Sequence, residues 1–186
     1  DGRVTRHEAY YDVPYDGTRD DGSFEAHVEG VRERVARAVE RQLVSDVPVA
    51  AFLSGGLDSS SVVAMMRQAS DRPVRCYTID IGDAEGGDDN PEDLPYARLA
   101  AAHLGVDLHE VRISPDVVSF AERMVYQLDE PQADPACINV HLICQQARAE
   151  GYKVMLSGAG GDDIFSGYRR HTAMLLERYW AWLPLA

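Results

Sequence analysis

Two stretches of this chain end an apolar run in the same way, and together they restrict the fold more than any other feature. The first is Phe52-Leu-Ser-Gly-Gly-Leu-Asp-Ser-Ser60 and the second is Val154-Met-Leu-Ser-Gly-Ala-Gly-Gly-Asp-Asp163. Each reads as a buried strand, a Leu-Ser-Gly turn with further glycine, an aspartate, and the start of a new element. Val47-Pro-Val-Ala-Ala-Phe-Leu53, ahead of the first turn, is continuously apolar, as strands covered on both faces of a parallel sheet are.

The rest of the chain alternates accordingly. From Ser23, placed as a cap, Phe24, Val28, Val31, Val35 and Val39 recur at helical spacing. The pattern then predicts a helix over 59–68, a strand over 74–81, a helix over 94–104 and a strand over 106–113. Ser114-Pro115 opens a further helix with proline at its first position, another spans 137–150, and 153–156 is a short strand. This order predicts an α/β fold, a doubly wound parallel sheet with right-handed crossovers. A chain of 186 residues suits one core, so 1–22, with Tyr10, Tyr11 and Tyr15 in no clear period, is expected to be a linker or entry segment and 23–186 the domain. The acidic, glycine-rich stretch Asp80–Asp93 is expected to be a solvated loop.

Composition narrows the function. The formal net charge of −13 opposes phosphate backbones, so no nucleic acid partner is expected. No apolar run approaches the ~20 residues of a membrane span. Cys76, Cys137 and Cys144 match no zinc or redox spacing, which suits reduced thiols in the cytoplasm; Cys137 and Cys144 are expected in the core.

The chemistry sits in the two turns. Gly55 and Gly56 let a ligand approach the backbone, and a helix start behind them offers free N–H groups and the positive end of its dipole to phosphate. Ser59 and Ser60 add hydroxyls. The segment has no Gly-Lys-Ser/Thr ending and no Gly-x-Gly-x-x-Gly, which excludes a Walker A loop and the dinucleotide fingerprint. Asp58 would repel phosphate unless a divalent cation lay between them, so bound magnesium follows, with Asp58 and Asp162 on one ion against an ATP triphosphate. Among the histidines only His109, beside Glu110 at a strand end, has a positional claim on the site.

The segment Ser54-Gly-Gly-Leu-Asp-Ser-Ser60 resembles the pyrophosphate-binding loop of the ATP pyrophosphatase (PP-loop) superfamily. With Val47-Pro-Val before it and Leu156-Ser-Gly-Ala-Gly-Gly-Asp-Asp-Ile-Phe-Ser-Gly-Tyr-Arg-Arg170 after it, the chain resembles the synthetase domain of glutamine-dependent asparagine synthetase and its relatives, beta-lactam synthetase included. Tyr96-Ala97, His109-Glu110 and Asp129-Glu130-Pro131 are similar to signatures of that family. The resemblance implies a Rossmann-like adenine nucleotide alpha hydrolase fold and an adenylating ligase. ATP activates a carboxylate, aspartate in the parent reaction, pyrophosphate leaves, and ammonia from a glutaminase domain forms the amide. It implies ATP and Mg2+ as cofactors, Asp58 and Asp162 as catalytic and metal residues, and Leu53, Ser54, Gly55, Gly56, Leu57, Ser59, Ser60, Ile79, Ser157 and Gly158 around ATP and pyrophosphate. A homodimer is possible in such a family.

The chain departs from the family pattern at Ala159, where asparagine synthetases carry a glutamate, and at Asp163, where glutamate is common. Its one lysine, Lys153, precedes the second turn, whereas the family's adenylate-stabilising lysine follows it. The reading is therefore of a piece lacking the glutaminase domain and the C-terminal part, with the aromatic end Tyr179-Trp180-Ala-Trp182 left to pack elsewhere. A macrolactam-forming or other amide ligase with a different acceptor is the alternative, and a non-catalytic nucleotide-binding relative a second. A tRNA thiolase would want catalytic cysteines and a basic surface.

Overall fold

The structure, a computed structural model, describes residues 2–12, 21–80, 93–112, 118–130, 134, 136–177 and 179. Residues 2–12 are exposed and form neither helix nor strand. The elements that follow are α1 (Phe24–Gln42), β1 (Val49–Phe52), α2 (Leu57–Ala69), β2 (Arg75–Asp80), α3 (Asp93–Leu104) and β3 (Asp107–Arg112), then α4 (Val118–Leu128), α5 (Ala136–Ala149), β4 (Val154–Leu156), α6 (Gly161–Phe165) and α7 (Arg169–Glu177). Most of the expected acidic loop, the proline-led start of α4 and the two tryptophans lie outside the described residues.

All four strands are parallel, in the order β3-β2-β1-β4. The doubly wound α/β architecture expected from the alternation is therefore present. β1 is shorter than its apolar run because Pro48 has no N–H to give the ladder; at the other end Leu53 N still donates to Tyr77 O at 2.9 Å.

Side chains alternate across the sheet with a period of two. Ala51, Leu53 and Cys76 join Val39, Val63 and Ala101 on the face covered by α1, α2 and α3. Ala50 and Tyr77 join Ile143 and Ala147 on the other face, under α5. Ala50 and Ala51 are both 0% exposed, as the small residues of a central strand packed on both sides should be. Burying Leu53, Val63 or Met66 stabilises the fold by roughly 1.5–3 kcal/mol each.

Ser23 caps α1 as expected, its Oγ accepting from Ala26 N at 3.2 Å. Only the C-terminal half of α1 packs on the core, through Val35 and Val39, followed by Leu43 at its C-cap; Phe24, Val28 and Val31 are exposed. The thiols also differ from expectation. Cys76 is buried, whereas Cys144 is exposed and Cys137 half-buried, because it is Ile143 and Ala147 that α5 turns to the sheet.

A polar cluster ties the opposite edge of the sheet together. Arg75 Nη2 donates to Glu150 Oε2 at 2.6 Å and lies 2.9 Å from His109 Nδ1. Tyr77 Oη donates to the same carboxylate oxygen at 2.8 Å, and Gln146 Nε2 to the other at 2.8 Å. His109 thus belongs to the edge where β2 begins and α5 ends. Glu110 is taken by Arg98 in a bidentate pair at 2.7 Å per bond. His109 and Glu110 are thus both engaged by side chains of the fold.

Candidate functional site

The strand order brings the two glycine turns together. β1 pairs with β2 on one side and β4 on the other, with Ala51 opposite Leu156, so the chain leaves both strands side by side. In open α/β sheets this reversal of strand order opens a crevice beyond the carboxyl ends of the strands, where ligands bind.

The first turn is braced from within and from below. Gly55 has φ +83, and a β-carbon there would lie 2.3 Å from Tyr96 C and 2.4 Å from Ala97 N, so the turn rests directly on the backbone of α3. This contact gives the Tyr96-Ala97 pair its place in the architecture. Ser59 Oγ donates to Gly56 O at 3.2 Å, accepts from Ser54 N at 3.3 Å and lies 3.0 Å from Ser54 Oγ. Ser54 Oγ also accepts from Gly56 N at 3.3 Å. Two of the expected ligand hydroxyls therefore already shape the turn. Ser60 Oγ is buried and has no hydrogen-bond partner among the described residues.

α2 starts on Gly56 with no side chain capping it. Its first-turn amides and the positive end of its dipole are thus left for an anion. Leu53 is 1% exposed and its side chain belongs to the core, Leu57 is 83% exposed, and Ile79 packs on the other face of the sheet from Leu53. Of these three, Leu57 alone points its side chain away from the packed layers.

The second turn lies on the first. A β-carbon on Gly158 would fall 2.6 Å from Ser59 N and 2.7 Å from Asp58 C, and one on Gly161 only 2.3 Å from Asp58 Cγ. Gly160, with φ +92, turns the chain into α6, and Ser157 Oγ accepts from Ala159 N at 3.1 Å. Asp58, half-buried, therefore rests its carboxylate against the residue that precedes Asp162. Asp162, exposed, folds its own carboxylate over Gly167, where a β-carbon would meet Oδ1. One carboxylate leans on the first residue of α6 and the other on Gly167, just past its end.

The carboxylates of Asp58 and Asp162 have no hydrogen-bond or ion-pair partner among the described residues, whereas that of Asp163 is paired with Arg170 at 2.7 Å. No cluster of three or more His, Cys, Asp or Glu suited to a metal occurs among the described residues. Two hard carboxylates without side-chain partners, beside the uncapped start of α2, nevertheless fit magnesium, which takes one or two carboxylates together with phosphate oxygens and water. Sequence reasoning missed the Asp163–Arg170 pair and the glycines at 161 and 167 that accommodate the two carboxylates. The Gly-Gly-Asp-Asp and Ser-Gly-Tyr-Arg-Arg strings were the available signal.

A cavity of about 590 Å³ opens at the opposite end of the sheet, lined by Leu43, Val49, Met66, Pro73 and Tyr152 among others. It shares no residue with the crevice. No described helix is long and apolar enough to cross a membrane.

Comparison with known proteins gives a match to the family described as asparagine synthase over residues 30–186. A protein of Penicillium rubens named amidase chyE is 34% identical over 184 residues, covering 90% of this chain and 27% of that protein. An asparagine synthetase (glutamine-hydrolyzing) of Bacillus subtilis is 33% identical over 142 residues, covering 76% of this chain and 21% of that protein. The chain spans about a quarter of the length of the curated relatives it matches. Among solved structures, a glutamine-dependent NAD+ synthetase from Acinetobacter baumannii in complex with ADP is 18% identical with a TM-score of 0.49, covering 83% of this chain and 30% of that one.

Proposed function

The chain belongs to the asparagine synthase family, and from that membership we propose that it is the ATP-using part of an amide-forming carbon–nitrogen ligase. The observation that carries this reading is the contact of the two glycine turns at the strand-order reversal, with Gly158 and Gly161 both against Asp58. A carboxylate oxygen attacks the α-phosphorus of ATP, the bond to the β-phosphate breaks, and pyrophosphate leaves. The amine then attacks the acyl carbon of the adenylate, AMP departs and a proton is lost.

In this reading the turn from Ser54 to Ser60, with the uncapped start of α2, receives the pyrophosphate, and Ser157 and Gly158 border the same crevice. Asp58 and Asp162 hold magnesium, which when bound offsets the charge of the phosphate oxygens. Neither carboxylate has another partner to satisfy among the described residues. Aspartate is the first acceptor to test, with ammonia supplied by a glutaminase domain, in a cytoplasmic, homodimeric enzyme of asparagine biosynthesis. The match to amidase chyE favours a second reading, in which the same chemistry serves another carboxylate.

The test is pyrophosphate release from Mg-ATP by the native-length protein with L-aspartate and ammonium, beside Asp58→Ala. Aspartate-dependent release that the variant loses supports asparagine synthesis. Release driven by other carboxylates but not aspartate moves the assignment to the second reading, and no ATP binding at all rejects both.

A further inference from the structure

Asp162 and Asp163 are chemically equivalent neighbours, yet the structure treats them differently. Asp163 Oδ1 accepts from Arg170 Nη2 at 2.7 Å, and the same guanidinium lies 4.1 Å from the centroid of the Tyr168 ring. Asp162 has no such partner and folds over Gly167, whose N–H donates back to Asp162 O at 2.9 Å. The turn from α6 to α7, with Ser166 at φ +60, brings Arg170 back to Asp163, with Tyr168 stacked on its guanidinium. We propose that Arg170 is a positioning residue that withholds Asp163 from the metal, so that α6 offers one carboxylate rather than two. The inference rests on the proposed magnesium role of Asp58 and Asp162.

The chemistry gives a reason for such a device. Magnesium in a phosphate-transfer site has to be shared with the nucleotide and released with pyrophosphate, which suits one or two protein carboxylates. A third carboxylate would hold the ion more tightly and repel the triphosphate. The pair is exposed at 63% and 59%, so its own contribution to stability is small. Its effect belongs in metal affinity rather than in folding.

The test is Mn2+ binding to the native-length protein with pyrophosphate present, read by electron paramagnetic resonance, for Arg170→Ala, Asp163→Asn, their double variant and Asp162→Asn. Asp162→Asn is expected to weaken binding at least tenfold, and if it does not, the metal reading itself fails. Given that result, Arg170→Ala is expected to tighten Mn2+ at least threefold, Asp163→Asn alone to change it less than twofold, and the double variant to match Asp163→Asn. Tightening that persists in the double variant would show a long-range charge effect and overturn the proposal. No change in Arg170→Ala, with Asp162→Asn still effective, overturns it as well.

Discussion

The carboxylate of Asp58 rests on the α-carbon of Gly161, so closely that a β-carbon there would sit 2.3 Å from Cγ. Gly161 is only intermediate in exposure and its own backbone φ lies outside the left-handed region, so alanine fits the chain locally and the nearest atoms opposing it are those of the Asp58 carboxylate. Gly161→Ala is therefore expected to leave the melting temperature nearly unchanged while swinging Asp58 away. Mn2+ or Mg-ATP affinity should fall about tenfold, on the order of 1.4 kcal/mol. Calorimetric titration beside a thermal melt checks this; unchanged affinity would mean that Asp58 is no metal ligand.

Gly55 is opposed differently. Its φ of +83 disfavours any side chain, and the atoms a β-carbon would meet are backbone atoms of Tyr96 and Ala97, which cannot rotate away. Gly55→Ala is expected to destabilise the fold by roughly 2–4 kcal/mol, combining a strained backbone with a displaced α3. Urea unfolding measures this directly. A loss below about 1 kcal/mol would mean that the turn does not rest on α3.

Much of this was legible in the sequence because the turns advertise themselves. The Leu-Ser-Gly strings end apolar runs, glycine marks close approach, and the alternation between them leaves few topologies. The side-by-side placement of β1 and β4 follows from strand order, which no local pattern encodes. The contacts of His109 were not legible, because its partners Arg75 and Glu150 are 34 and 41 positions away in sequence. Asp163 was indistinguishable from Asp162 until the turn into α7 brought Arg170 back to it.

The serine pair separates structure from function. Ser59 is 8% exposed and its hydroxyl bonds to Gly56 O and accepts from Ser54 N, so Ser59→Ala is expected to cost about 1–2 kcal/mol of stability. Ser60 Oγ is buried without a partner among the described residues. Ser60→Ala removes an unsatisfied group and is expected to leave stability equal or slightly higher, while weakening pyrophosphate binding by about 1 kcal/mol if that hydroxyl turns to the ligand. Paired urea and pyrophosphate titrations decide; equal stability losses for both variants would reject this division.

Glu150 gives the fold a defined response to acid. The hydrogen bond from Gln146, opposed by desolvation and reinforced by Tyr77 and Arg75, holds its carboxyl down to about 2 from an ordinary 4.5. A carboxyl depressed in the folded state stabilises fully above its unfolded value and loses that contribution as pH falls through the folded one. The stabilisation therefore fades between about pH 4.5 and about pH 2, as the unfolded chain takes up a proton that the folded one refuses. Glu150→Gln keeps the shape but removes the charge facing Arg75. Its deficit in urea midpoint relative to the native residue is expected to be constant from neutral pH down to about 5, then to shrink on further acidification. A deficit that stays constant down to about pH 3 would show that Glu150 titrates alike in the folded and unfolded chains, and that its charge adds nothing to the cluster at this edge.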